Sequence, residues 1–295
     1  MKKLIIPILI VLNVNIMHTQ TIDSLKEKIN SEFNSLAGDF AVAFKMLDEK
    51  EESLFINERV IFHAASTMKT PVMIEVFKQA DENKFNLDDS IEIKNEFKSI
   101  VDGSTYSLDL ADDSGEELYA FIGRKKTIRQ LVFDMITVSS NLATNILMEL
   151  VGAENVTKTM RSIGANDILV LRGVEDSKAF QLGLNNIVTA YDLMLVYEAL
   201  LNNKFLGDSL TNEMINILLQ QKHNSRIPAK LPPEVKVANK TGSITGVGHD
   251  SGIIFLPDGR KYVLVLLSKN VKDEKAVMEV QADVSRIIYD YVVSN

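Results

Sequence analysis

The chain has 295 residues, of which 46% are hydrophobic and 24% are charged, and its formal net charge is −8. This length and composition allow one large domain, or two interleaved ones, with a substantial core, and argue against wholesale disorder. An acidic balance without a basic block argues against nucleic acid as a partner. The absence of cysteine excludes disulfides, thiolate catalysis and a lipid-modified N-terminal cysteine.

The N-terminus has the pattern of a secretory signal peptide. A short basic head, Met1–Lys3, precedes a mostly apolar run from Leu4 to Met17. A membrane anchor is the alternative, but the run is interrupted by Pro7 and two asparagines and is short for a spanning helix. We therefore predict a signal peptide over residues 1–20, a secreted or periplasmic location, and no stable membrane anchor after cleavage.

Hydrophobic periodicity predicts strands at both ends of the chain and helices in the middle. Within the helical block, Thr127 is a predicted N-cap and Gly164 closes a helix. A stretch from Lys98 to Glu117 is rich in Ser, Asp and Gly and lacks periodicity, so we expect a surface loop or insertion. The predicted helices are 22–34, the segment that opens at Ser66, those that begin near 128 and 141, 154–163, 189–201, 208–221 and 273–293, and the predicted strands are 39–47, 53–57, 235–241, 252–256 and 261–268.

This order predicts an α+β fold. The simplest assembly pairs the N- and C-terminal strands in one antiparallel sheet, flanked by the terminal helices, with an all-α lobe inserted between them. Residues 21–295 then form one domain, with an α/β lobe from 21–63 and 231–295 and a helical lobe from 64–230. A functional site is expected in the cleft between the two lobes.

Ser66 and Lys69 lie three residues apart where an apolar helix is predicted to open. Positions i and i+3 of a helix share a face, so the hydroxyl and the ammonium point into one space. A serine becomes a nucleophile when a base takes its proton, and a buried lysine near other cations can be that base. The N–H groups at a helix start also suit an oxyanion. A helix cap followed by a snorkelling lysine is the structural alternative.

Two further motifs decide between these interpretations. Ser139-Ser140-Asn141 lies between two predicted helices, and Lys240-Thr241-Gly242, followed by Ser243, ends a predicted strand. Each motif is weak alone. The three in this order form the set found in class A β-lactamases and penicillin-binding proteins.

The chain therefore resembles class A serine β-lactamases over nearly all of its length after the signal peptide. The resemblance implies a two-lobe fold and hydrolysis of the β-lactam amide of antibiotics through a serine acyl-enzyme. It implies no metal and no cofactor, with a β-lactam and water as the substrates. We expect the protein to be a monomer.

The resemblance also implies roles for individual residues in bond breaking. Ser66 would be the nucleophile and Lys69 its base or proton relay. Ser139 would pass a proton to the leaving nitrogen, and Asn141 would hydrogen-bond the substrate's side-chain amide. The backbone N–H groups of Ser66 and Ser243 would form the oxyanion hole.

Substrate binding and deacylation involve a second group of residues in the family. Lys240 and Thr241 would receive the substrate carboxylate. Arg226 precedes Lys240 by 14 residues, where some members place a carboxylate-binding arginine; a surface-loop arginine is the alternative. Glu175 follows Ser139 by 36 residues, which agrees with the family's water-activating glutamate, and adjacent Asp176 is the competing acid.

Three departures from the family pattern concern supporting residues. The usual aspartate of the second motif is Ser140 here, which puts local packing in doubt. The asparagine expected four residues after the glutamate is Ala179, for which Asn185 or Asn186 are candidate replacements. The arginine of the glutamate's loop, Arg172, lies three residues before Glu175 rather than two, so we expect the loop's internal ion pair to be rebuilt.

Other functions fit the sequence less well. His249 and Asp250 suggest a serine–histidine–aspartate relay, but adjacent strand residues point to opposite faces. The four histidines have no ligand spacing for a metal. A penicillin-binding D-Ala-D-Ala peptidase with slow deacylation is the enzyme alternative, and Glu175 argues against it. A binding protein on the same scaffold would not need the intact set of Ser66, Lys69, Ser139 and Lys240.

Overall fold

The computed structural model describes residues 20–48 and 51–295. The predicted signal peptide therefore lies outside the described residues except for Gln20. The strands are β1 (Asp39–Met46), β2 (Ser53–Ile56), β3 (Phe62–His63), β4 (Ser90–Glu92), β5 (Phe97–Lys98), β6 (Thr105–Tyr106), β7 (Lys125–Thr127), β8 (Ile187–Val188), β9 (Lys236–Ile244), β10 (Val247–Phe255) and β11 (Lys261–Lys269). The α-helices are α1 (Ile22–Phe33), α2 (Lys69–Asp81), α3 (Ile128–Thr137), α4 (Asn141–Val151), α5 (Ala153–Ser162), α6 (Ser177–Gln181), α7 (Ala190–Leu201), α8 (Asp208–Leu218) and α9 (Glu274–Ser294).

A five-stranded antiparallel sheet joins the two ends of the chain, in the order β2-β1-β11-β10-β9. Strand β1 pairs with β11 along its whole length, with Val42 opposite Leu266. The predicted α+β fold with paired terminal strands is thus confirmed. Because β9 is an edge strand of this sheet, every second N–H and C=O along its outer side is left without a partner in the sheet.

Both faces of the sheet are covered, which explains why β11 is apolar at nearly every position. One face packs against α1 and α9, with Phe44 and Leu264 in that core. The other face contributes Val263 and Val265 to a larger core shared with the inserted helices. Helix α2 is the centre of this larger core, and its residues from Val72 to Phe77 are all buried.

Local sequence signals fix several of the helix ends. Thr127 caps α3 in a reciprocal capping box with Gln130. Gly164 follows the end of α5 with φ of +83°, a conformation that favours glycine. No helix in the described part of the chain is both long and apolar enough to cross a membrane.

Two local predictions near the motifs were wrong. The stretch 98–117 is more than a surface loop: it contains part of the β5–β6 ribbon and short 3₁₀ turns, and Leu108 and Asp113 within it are buried. The α-helix of the first motif does not begin at Ser66, because Ala65–Met68 form a 3₁₀ turn and α2 begins at Lys69. Side chains at i and i+3 eclipse in a 3₁₀ turn, so Ser66 and Lys69 still lie on one side.

Candidate active site

A cleft of about 790 Å³ opens between the edge strand β9 and the helical block. Its walls come from segments that are far apart in the sequence, as the β–helical–β order requires. Of the predicted site residues, the four that line it directly are Ser66, Asn141, Glu175 and Ser243. Lys69 and Lys240 lie beneath this surface, fully buried.

Lys69 is the hub of a hydrogen-bond network under the cleft. Its Nζ donates to the carbonyl oxygen of Ser139 at 2.7 Å, to Asn141 Oδ1 at 2.8 Å and to Ser139 Oγ at 3.2 Å. Burial lowers the pKa of Lys69 to about 7, although the charges of Asp113 and Glu175 act in the opposite direction. A substantial fraction of this amine is therefore neutral, and able to accept a proton, near pH 7.

Ser139 lies between two buried lysines. Lys240 Nζ donates to Ser139 Oγ at 3.0 Å, and also to the carbonyl oxygen of Thr241 at 3.0 Å. Burial and then the charge of Lys69 lower the pKa of Lys240 well below its usual value. Ser139 itself has φ of +61°, an uncommon conformation for a residue other than glycine, and it turns the loop between α3 and α4 toward both amines.

Glu175 is connected to this network through Asn141. Asn141 Nδ2 donates to Glu175 Oε1 at 2.8 Å, while its Oδ1 accepts from Lys69. Burial raises the pKa of Glu175, against the hydrogen bond from Asn141. Adjacent Asp176 also lines the cleft, but its carboxylate is already occupied: it accepts from the Ile100 N–H at 2.9 Å and from the Ala179 N–H at 3.2 Å, where it caps α6. The geometry therefore favours Glu175 over Asp176 as the acid of the cleft.

The loop around Glu175 is built differently from the pattern expected for the family. Arg172 makes no ion pair within the described residues; it donates to the carbonyl oxygens of Leu184 and Gly173 and to Asn185 Oδ1. Asn186 is occupied as well, since its amide oxygen accepts two backbone N–H groups and its amide nitrogen donates to the carbonyl of Arg172. Asn186 is therefore not free to replace the asparagine missing at Ala179, and the amide oxygen of Asn185 is held by Arg172.

The third motif brings β9 against the turn that carries Ser66. A Cβ placed on Gly242 would lie 2.9 Å from the backbone nitrogen of Ser66, so only glycine permits this approach. Beyond it, Arg226 donates to Ser243 Oγ at 2.9 Å. Arg226 is only 3% exposed, and burial lowers its pKa. It is thus a buried cation next to the third motif and not a surface-loop arginine.

The histidine–aspartate pair on β10 has structural partners. Nε2 of His249 is 2.9 Å from the carbonyl oxygen of His63, and the Ser268 N–H donates to its Nδ1. Asp250 accepts from Asn239 Nδ2 and from the N–H groups of Ile227 and Ser251. These contacts leave no relay from either residue to Ser66.

The residue that the sequence did not single out is Asp113. Its buried carboxylate accepts the N–H groups of Asn141 and Leu142 at the start of α4. It comes from a stretch without periodicity or motif, and its partners are 28 and 29 residues away in the chain. The one available signal was indirect: the second motif has Ser140 where the family has an aspartate, which suggests that another carboxylate takes its place.

Comparisons with known proteins agree with this fold. A model of the β-lactamase enzyme family matches residues 24–292. A β-lactamase of Bacteroides uniformis is 25% identical over 291 residues, covering 93% of each chain. The solved structure of a β-lactamase from Sphaerobacter thermophilus matches with a TM-score of 0.79 at 25% identity, over 92% of this chain and 97% of that one. A variant of PBP-A, solved as an acyl-enzyme complex with penicillin G, has the same fold, with a TM-score of 0.81 at 23% identity over 94% and 99% of the two chains.

Proposed function

The chain belongs to the β-lactamase enzyme family, and we propose that it hydrolyses the amide bond of β-lactams by the class A route, through an acyl-enzyme on Ser66. One observation carries the proposal: a continuous hydrogen-bonded path runs from Lys240 through Ser139, Lys69 and Asn141 to Glu175. Such a path provides a proton acceptor for acylation, a donor for the leaving nitrogen and a second acceptor for water.

Acylation uses the first half of the path. Neutral Lys69 takes the Ser66 proton, and Oγ attacks the β-lactam carbonyl carbon. The backbone N–H groups of Ser66 and Ser243 stabilise the oxyanion. As the C–N bond of the ring breaks, Ser139 gives its proton to the ring nitrogen and recovers one from the lysines beside it.

Deacylation uses Glu175. A carboxylate whose pKa is raised by burial is a better base than an exposed one. It takes a proton from water, and the hydroxide attacks the ester carbonyl carbon. The bond from that carbon to Ser66 Oγ then breaks as Oγ regains the proton from Glu175, which restores both residues. Water and a β-lactam are the only reactants, and the reaction needs no metal or cofactor.

The substrate carboxylate is bound at the opposite end of the cleft. Strand β9 carries Lys240 and Thr241 next to each other, with Ser243 two residues further on. Buried Arg226 donates a hydrogen bond to Ser243 Oγ. The amine of Lys240, the guanidinium of Arg226 and two hydroxyl groups together provide hydrogen-bond donors for one carboxylate. The signal-peptide pattern supports export to the periplasm or beyond, and we expect the mature protein to act as a monomer.

A penicillin-binding peptidase with slow deacylation is the second candidate. The observation that favours it is the loop of Glu175, where Ala179 cannot help to hold a water molecule and Asn186 is fully engaged. Acylation would be unchanged in that case, and the covalent adduct would be long-lived.

Turnover of a chromogenic cephalosporin, followed by mass spectrometry of the intact protein, tests the proposal. We expect many turnovers with a transient adduct, and no adduct with Ser66→Ala. Glu175→Gln should still acylate but accumulate the adduct, because the water loses its base. The matched control is Glu116→Gln, which removes the same negative charge from an exposed position outside the network. A single burst and a stable wild-type adduct would favour the peptidase, and labelling of Ser66→Ala would disprove the nucleophile.

A further inference from the structure

We infer that Asp113 is a positioning residue that holds the Ser139–Asn141 loop in its working geometry, replacing from another segment the carboxylate that the motif lacks at Ser140. The inference rests on the proposed function, since the loop matters for catalysis only if the cleft is the active site. Asp113 follows β6, in the stretch expected to be a surface loop, and it is only 3% exposed.

The carboxylate of Asp113 is saturated with donors. Oδ1 accepts from the N–H of Asn141 at 2.9 Å and of Gly115 at 2.8 Å. Oδ2 accepts from the N–H of Leu142 at 2.8 Å and from the Tyr119 hydroxyl at 3.2 Å. Asn141 and Leu142 are the first residues of α4, whose N–H groups have no partner within the helix. A negative charge is also favoured at this end of a helix.

The fit between the two segments is close. Ser140 is fully buried; its hydroxyl caps α4 through the Ala143 N–H and lies 3.4 Å from Asp113 Oδ2. A Cβ on Gly115 would lie 2.4 Å from Ser140 Cβ, so the Asp113 segment is pressed against the motif. An aspartate at 140 would cap a helix as well as serine does, but here it would meet a carboxylate already in place. The small Ser140 and the distant Asp113 are therefore complementary.

This contact reaches the catalytic groups in one step. The loop that Asp113 binds supplies three acceptors to Lys69: the carbonyl and hydroxyl oxygens of Ser139 and the amide oxygen of Asn141. The carbonyl of Asp112 also accepts from Asn141 Nδ2 at 3.3 Å, so the segment holds this residue at both its main chain and its side chain. Displacement of the loop would change all of these distances.

Asp113 also acts on Lys69 through its charge. The charges of Asp113 and Glu175 both raise the pKa of Lys69, against burial, and the other titratable groups coupled to this amine are Lys240 and His223. Removal of Asp113 would leave the ammonium less stabilised. The pH at which Lys69 becomes a base would then move downward, an effect that a purely structural residue would not have.

Four variants test the inference: Asp113→Ala, Ser140→Asp, the two combined, and Glu116→Gln as a control that removes a nearby exposed charge. We expect Asp113→Ala to lower kcat/KM by about 10- to 100-fold and Tm by roughly 5 °C, and to move the acid limb of the pH–rate profile to lower pH. Ser140→Asp alone should lower Tm, because two carboxylates then compete for the same donors. In the combined variant the same change should raise both Tm and kcat/KM above those of Asp113→Ala.

The inference depends on Ser140→Asp having opposite effects on Tm in the two backgrounds: a decrease in the wild type and an increase in Asp113→Ala. If Ser140→Asp is harmless in the wild type, or does not improve Asp113→Ala, the inference is wrong; an unchanged pH profile and Tm in Asp113→Ala would also overturn it. If Asp113→Ala does not fold, two results still test the inference. The combined variant should yield folded protein, and Ser140→Asp alone should have a lower Tm than the wild type. The Tm comparison needs no turnover, so a protein inactive on β-lactams would refute the proposed function while leaving this contact testable.

Discussion

Gly242 is where the edge strand β9 touches the turn that carries the proposed nucleophile, and Gly242→Ala tests this contact. The added Cβ would lie 2.9 Å from the backbone nitrogen of Ser66, 3.1 Å from that of Thr67 and 3.2 Å from Ala65 Cβ. Ordinary contact for such atoms begins near 3.4 Å, so strand and turn must separate by about 0.5 Å. None of the three atoms is the end of a flexible side chain that could move aside.

The separation falls across the proposed oxyanion hole, which has the Ser66 N–H on one side and the Ser243 N–H on the other. A donor moved by about 0.5 Å from a normal hydrogen-bond distance loses most of its effect. Loss of one such donor reduces kcat by roughly 100- to 1,000-fold, so we expect about a 100-fold loss in kcat with a smaller change in KM. Forced repacking should lower the free energy of unfolding by about 1–3 kcal/mol.

Steady-state kinetics with a chromogenic cephalosporin and urea denaturation measure the two effects separately. Gly207→Ala is the control, because no atom lies within 4 Å of its added Cβ and its φ is an ordinary −69°. If Gly242→Ala keeps kcat within about threefold of the wild-type value, the approach of β9 to the turn does not set the geometry of the oxyanion hole.

Three further predictions concern pH and stability. With Lys69 as the proton acceptor, kcat/KM should rise with pH through about 7, the pKa of Lys69, because only the neutral amine is a base; a rise centred well below pH 6 would contradict this assignment. Burial lowers the pKa of His249 to about 4, so between this value and the unfolded value near 6.5 the unfolded chain binds the extra proton. His249 should therefore contribute roughly 3 kcal/mol to the free energy of unfolding above pH 6.5 and lose this contribution toward pH 4, so stability should depend less on pH in this range for His249→Gln in urea titrations. Thr127→Ala should lose about 1 kcal/mol of stability with the capping box of α3 and leave kcat/KM unchanged, whereas an equal loss of activity would connect this cap to the site.

The sheet and the main helices could be predicted because their signals are local. Strand β11 is a nearly continuous apolar run, without alternation of polar and apolar residues, because both of its faces are buried. The turn before it is marked by Pro257-Asp258-Gly259. The strand preceding that turn was predicted too short: β10 begins at Val247, not at Gly252. Buried polar residues such as His249 hide the hydrophobic pattern of its first half, because their partners come from other elements.

The sequence could name residue types for the candidate site, but it could not give their geometry. Three short motifs named Ser66, Ser139 and Lys240, but no local pattern records that the 3₁₀ turn at Ala65–Met68 packs closely against β9. The contribution of Asp113 was invisible for the same reason. Its donors are near in space and remote in sequence, and nothing around it resembles a motif.

The segment from β5 to the turn before β7 contacts both loops that carry the proposed proton-transfer groups. Asp113 holds the start of α4, and with it Ser139 and Asn141. On the other side, the Ser99 hydroxyl and the Ile100 N–H bind the carboxylate of Asp176, next to Glu175. Glu175, with φ of +61°, is thus fixed by its neighbour and not by an internal ion pair of its own loop. The departures at Ser140 and around Arg172 therefore have one physical explanation: contacts that the family pattern places within each loop are supplied here by a third segment. Changes to the residues of that segment that make these contacts should affect acylation and deacylation together.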